Sequence, residues 1–127
     1  MKMLLLSNGG LANEMYKAMA NFYAEPEIDV MELEAVTKDV FVRKLQAYIQ
    51  ETSEEVLIVS DVFGSTAFNE AIYLIESGQC QARADIICGM SLPLVFKLYG
   101  LKDSWSIQSI KQIYQEPAGR WNDVSSS

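Results

Sequence analysis

The stretch that decides the fold is KMLLLSNGGLANEM, residues 2–15. The apolar run Met3–Leu6 stops at Ser7-Asn8-Gly9-Gly10, and helical spacing begins at once with Leu11, Met15, Ala18, Met19 and Phe22 on one stripe. An α/β protein builds a ligand site in this way, at the carboxyl end of its first strand. Such a site calls for a reactive group, yet the residue at its centre is asparagine.

Three further runs follow: Ile28–Leu33, Val56–Val59 and Ala84–Cys88. The near-continuous MLLL, VLIV and DIIC suit parallel strands covered on both faces, while IDVMEL mixes in polar residues and suits a sheet edge. Helical stripes alternate with the runs: Phe41, Leu45, Tyr48 and Ile49; Phe68, Ala71, Ile72 and Ile75; Leu94, Val95, Leu98 and Tyr99. The order β-α-β-α-β-α-β-α predicts a doubly wound, mainly parallel four-stranded sheet flanked by helices. Ser104 reads as the N-cap of a last helix containing Ile107, Ile110 and Ile113. After the break Pro117-Ala118-Gly119, RWNDV (residues 120–124) suits a short fifth strand.

Composition narrows the function. The chain has 127 residues, is 50% hydrophobic and 21% charged, and reads as a single domain spanning residues 1–127. A net charge of −7 argues against nucleic acid and anionic membrane surfaces, and no segment is long enough for direct membrane insertion. MKMLLL lacks the length and cleavage site of a signal peptide, so a cytoplasmic location is expected. Cys80 and Cys88 sit in no metal-ligand or disulfide pattern; neither metal nor cofactor is expected. Histidine is absent altogether, which removes the usual base near neutral pH and the usual phosphoryl carrier on nitrogen.

The strand ends bring the candidate residues together. Asn8, Gly9 and Gly10 leave the first strand, Asp61 leaves the third, and Gly64-Ser65-Thr66 open the third helix. The fourth strand delivers Cys88-Gly89-Met90-Ser91 before Leu92-Pro93. Helix N-termini preceded by small residues expose backbone N–H groups, so Gly9, Gly10, Ser65 and Thr66 are candidate phosphate-binding residues. The same small residues also serve as ordinary turn and cap residues in any doubly wound fold. A flavodoxin would have a Ser/Thr-rich loop after the first strand, and SNGGLA offers only Ser7. A response-regulator receiver would match Asp61 but needs acidic metal ligands where Ser7-Asn8-Gly9 stand.

Three segments together resemble the enzyme IIA domain of the mannose/fructose/sorbose class of the bacterial sugar phosphotransferase system. They are LLLSNGGLANEM, VLIVSDVFGSTAFNEA and IICGMSLPLVFKL. The middle one is the most specific, since Asp61, Phe63, Gly64, Phe68 and Asn69 all fall in place. The resemblance implies a homodimer that exchanges a C-terminal strand, with partners HPr and enzyme IIB. It also implies a histidine that accepts a phosphoryl group, an aspartate that orients it and a nearby hydroxyl. Those positions are Asn8, Asp61 and Thr66, while Phe63, Met90 and Ser91 become candidates for partner docking. The chain departs from the family at Asn8, at Ala67 in place of a frequent proline and at Ser91 in place of a frequent asparagine. An amide nitrogen is delocalised into its carbonyl and is not basic, so Asn8 cannot carry a phosphoryl group as imidazole does. The side-chain NH₂ of Asn8 is expected to donate to Asp61 instead. Three readings remain open: a regulatory or docking component with its acceptor lost, a carrier using another acceptor such as Asp61 or Cys88, and a small-anion or sugar-phosphate sensor.

Overall fold

Two interleaved sets of side chains on each inner strand decide the layers. The computed structural model describes residues 1–78 and 83–114. In β1 (Lys2–Ser7), Met3 and Leu5 point into one apolar cluster and Leu4 and Leu6 into another, all fully buried. β3 (Val56–Ser60) repeats the pattern, with Leu57 and Val59 on the first side and Val56 and Ile58 on the second. Because successive strand residues face opposite ways, a run apolar at every position must be covered on both faces.

The cover is supplied by helices. α1 (Leu11–Met19), α4 (Leu92–Leu101) and the helical residues 107–114 (α5) pack on the first face. α2 (Lys38–Glu51) and α3 (Thr66–Glu76) pack on the second. β2 (Asp29–Glu32), followed by the 3₁₀ turn Leu33–Ala35, and β4 (Ala84–Cys88) complete a parallel sheet of order β2-β1-β3-β4. The chain moves outward from β1 to β2, returns across β1 to β3, and continues to β4. Right-handed crossovers then put α1 on one face and α2 and α3 on the other. The reversal between β1 and β3 leaves a crevice beyond their carboxyl ends.

The four-stranded parallel architecture agrees with the sequence reading, including β2 at an edge. Details of the stripes differ. Leu11 is 41% exposed, and Ala12, Met15 and Met19 make the buried face of α1. Phe22 lies beyond the end of that helix and is exposed. After α4 ends at Leu101 the chain continues in turns through residue 105, with the N–H groups of Ser104 and Trp105 both reaching the carbonyl of Leu101. Ser106, not Ser104, therefore caps α5, its Oγ accepting the N–H of Ser109 at 3.2 Å. In α5, Ile107 and Ile110 are buried and Tyr114 packs on the first cluster, while Ile113 is exposed. Residues 120–124, read as a fifth strand, lie outside the described residues.

Leu57 sits in the central layer with no exposed surface. Its replacement by alanine removes buried methyl groups and leaves a cavity, costing about 2–5 kcal/mol. Urea unfolding of L57A should show its midpoint falling accordingly; an unchanged midpoint would mean that the two-faced core is misassigned.

Candidate functional site

The first wall of the crevice is the turn out of β1. Ser7 is fully buried, and its hydroxyl donates to the carbonyl of Gly9 at 2.6 Å while accepting the N–H of Ala12 at 3.0 Å. Ser7 thus does for α1 what the cap position Gly10, lacking a side chain, cannot. The next N–H, of Asn13, goes to the Glu32 carboxylate at the end of β2 at 3.0 Å, and the Asn13 side-chain amide donates to the same group at 2.8 Å. An acidic group at a helix N-terminus meets the positive end of the helix dipole. Here the chain supplies that group itself.

The second wall begins where β3 ends. The N–H of Asp61 donates to the carbonyl of Leu6, and its own carbonyl accepts the N–H groups of Gly89 and Met90. Asp61 is therefore tied to both neighbouring strand ends. Gly64, at φ +81°, turns the chain back toward α3, and Gly89, at φ +91°, makes the corresponding bend after β4. Ser65 caps α3, its Oγ accepting the N–H of Phe68 at 3.1 Å and donating to Asp61 Oδ1 at 2.9 Å.

These bonds converge on one carboxylate. Asp61 Oδ2 accepts the backbone N–H of Asn8 at 3.0 Å, and Oδ1 accepts the hydroxyl of Ser60 at 3.1 Å as well as that of Ser65. Partial burial pushes the Asp61 carboxyl upward, but the backbone N–H groups of Asn8 and Val62 and the two serine hydroxyls outweigh it and hold it below the usual value. The group stays ionised, with no salt-bridge partner among the described residues.

Asn8 does not donate its side-chain NH₂ to Asp61, as the sequence reading expects. Its backbone N–H makes that bond, and its side-chain oxygen Oδ1 accepts the N–H of Ala67 in the first turn of α3 at 2.8 Å. The backbone bond needs no particular side chain, which leaves the amide free to reach the helix. An N–H donor requires an oxygen opposite, so the orientation of the amide follows. The carbonyl of Asn8 accepts the N–H of Glu34 at 2.8 Å.

The other sequence-derived candidates fall in different places. Gly9 and Gly10 line the β1–α1 turn at negative φ, and Thr66 is exposed at the first position of α3. Phe63 is exposed next to Asp61, its ring leaning on Phe68 with centroids 5.0 Å apart. Ser91 caps α4 through the N–H of Leu94 at 3.3 Å. Met90 is buried in the first cluster, so its side chain is not available on a docking face. Cys88 is half-buried at the end of β4, and burial pushes its thiol up, away from the reactive thiolate. Ser60 and Glu32 were not singled out from sequence. The only local signal was a polar residue closing each strand.

Two outcomes follow from this geometry. Ser65→Ala removes both a helix cap and a hydrogen bond to Asp61; it should cost about 1 kcal/mol of stability and raise the Asp61 pKa in a carboxyl NMR titration. The folded-state pKa of Asp61 lies below its unfolded value, so its contribution to stability is present above the unfolded pKa and fades as pH falls through the folded one. Asp61→Asn should accordingly be less stable than the wild type at neutral pH, with the difference narrowing on acidification. A constant gap in urea midpoints across that range would contradict it.

The arrangement has known counterparts. The family model described as PTS system fructose IIA component matches residues 2–115. Among solved structures, phosphotransferase system component EIIA from Streptococcus agalactiae superposes with a TM-score of 0.75 at 13% identity, over 87% of this chain and 86% of that one. The PTS IIA protein associated with the fucose utilization operon of Streptococcus pneumoniae gives 0.71 at 18% identity, over 91% and 89%. The mannose/sorbose specific IIA subunit from Enterococcus faecalis gives 0.60 at 24% identity, over 77% and 74%. No curated protein sequence matches the chain. The identities are low enough that the solved structures speak for the fold alone, whereas the family model covers nearly the whole sequence. With a parallel β2-β1-β3-β4 sheet and an aspartate closing β3 beside the β1–α1 turn, the chain belongs to the fructose/mannose enzyme IIA family of the sugar phosphotransferase system.

Proposed function

We propose that this chain is an enzyme IIA-type component that docks phosphotransferase partners without carrying the phosphoryl group. The observation that supports this most is the chemistry at position 8. In the place where the resemblance puts an acceptor histidine stands a non-basic amide, whose oxygen is engaged with Ala67. Other acceptors are poorly placed. The Asp61 oxygens are held by Asn8, Ser60 and Ser65, and the Cys88 thiol is pushed away from its ionised form. A sugar-phosphate sensor is also disfavoured, because N–H groups at the starts of α1 and α3 already go to Ser7, Glu32, Asn8 and Ser65.

What remains suited to a role is the surface around the crevice. Val62 and Phe63 are 59% and 57% exposed, on a turn pinned at Asp61 and Ser65. Aromatic side chains presented rigidly make effective anchors. In this reading Phe63 and Ser91 face HPr or enzyme IIB, and the protein works in the cytoplasm with them. The proposed assembly is a homodimer in which residues 120–124 of each copy pair with the outer edge of β4 in the other. That edge has no strand partner among the described residues, although Ile86 and Ile87 are buried by the helices. An apolar edge of this kind favours pairing with another chain.

Incubation with phosphoenolpyruvate, enzyme I and HPr should leave the intact mass unchanged, and a stable phosphorylated species would refute the proposal. Phe63→Ala should weaken capture of HPr or enzyme IIB about tenfold or more in a calorimetric titration while leaving thermal stability almost unaltered. Light scattering should give the mass of two chains, and removal of residues 115–127 should give one. A monomer from the full chain would refute the exchanged strand.

A further inference from the structure

Asn8, in the loop after β1, is bonded to the segments that follow both β2 and β3. Its N–H is bonded to Asp61 after β3, its carbonyl to the N–H of Glu34 after β2, and its side-chain oxygen to Ala67 in α3. Helix caps are ordinarily local, and Ser65 already provides the local one for Phe68. The second free N–H of α3 is instead taken by a residue 59 positions earlier in the chain. Such a bond is a tether between elements as well as a cap.

The identity of the residue fits that task closely. The first turn of α3 attracts oxygen with partial negative charge. The neighbouring Asp61 is already ionised, and a second full charge beside it is repelled. A neutral carbonyl satisfies both conditions. Aspartate would introduce the second charge, and alanine would leave the Ala67 N–H without its acceptor. Serine or threonine would be too short to span from the same backbone position, where the N–H and carbonyl are both committed.

We propose that Asn8 acts as an internal ligand: its amide oxygen permanently fills the position at the start of α3 that a bound oxyanion would otherwise occupy, and so latches the three loops in a single arrangement. The crevice then does not switch between a loaded and an empty form. The turn carrying Val62 and Phe63, which joins Asp61 to Ser65, is held in its docking geometry at all times. The latch requires only the hydrogen bonds described and stands or falls separately from the identity of any phosphotransferase partner.

Backbone amide NMR on the full chain tests it. In the wild type the Ala67 N–H should be protected from exchange, and inorganic phosphate at millimolar concentration should shift none of the Asn8, Glu34 or Ala67 amides. In Asn8→Ala, the Ala67 amide should exchange at least about fivefold faster, the loss expected for one hydrogen bond, and the Val62–Gly64 resonances should broaden or shift. Unchanged Ala67 protection in N8A would overturn the latch. A phosphate-dependent shift of the Ala67 amide in the wild type would overturn it equally, and that measurement decides the matter even if N8A fails to fold.

Discussion

The crevice depends on one ionised carboxylate. Asp61 gathers an N–H from the turn after β1 and hydroxyls from the last residue of β3 and the cap of α3. Each donor comes from an element that must be in place before the bond can form. Burial alone would push this carboxyl toward its neutral form, yet the converging donors favour the charge. The adjacent strand ends and α3 are thereby held in register. The carboxylate is a structural hub whether or not a reactive group stands opposite it.

From that hub the electrostatics of the site follow. Helix N-termini in a doubly wound sheet normally offer unsatisfied donors to an anion. Here Ser7 and Glu32 answer those of α1, and Asn8 and Ser65 answer those of α3. The family architecture is kept, and these helix N–H groups are satisfied by the chain's own side chains. A chain without any histidine thus keeps the fold of the enzyme IIA family, with the Asn8 side chain bonded to the first turn of α3.

Much of the architecture is readable along the chain because it depends on local period. MLLL, VLIV and DIIC are apolar at successive positions, and only a strand covered on both faces buries all of them. The polar interruptions of β2 mark it as an edge for the same reason. Periodicity was less informative at helix ends. Leu11 and Phe22 fit the α1 stripe by spacing, but the first turn faces solvent at Leu11 and the helix has stopped before Phe22. Ser104 reads as a cap from sequence, yet it does not start α5. Its N–H and that of Trp105 are both turned back to the carbonyl of Leu101, which keeps residue 104 in the turn after α4 and leaves the cap to Ser106.

The sequence by itself determined the parallel α/β layers, the placing of Asn8 and Asp61 at the ends of adjacent strands and the chemical point that position 8 is not basic. Those conclusions need only apolar period, strand order and functional-group chemistry. The tertiary structure decided which atom meets which. The backbone of Asn8, not its side chain, holds Asp61; the freed amide oxygen reaches Ala67; Ser60 supports the carboxylate; Glu32 fills the start of α1; Met90 turns inward. Hydrogen bonds are selected by distances of a few tenths of an ångström and by direction, and these arise only when separate elements pack. No pattern along the chain carries that information.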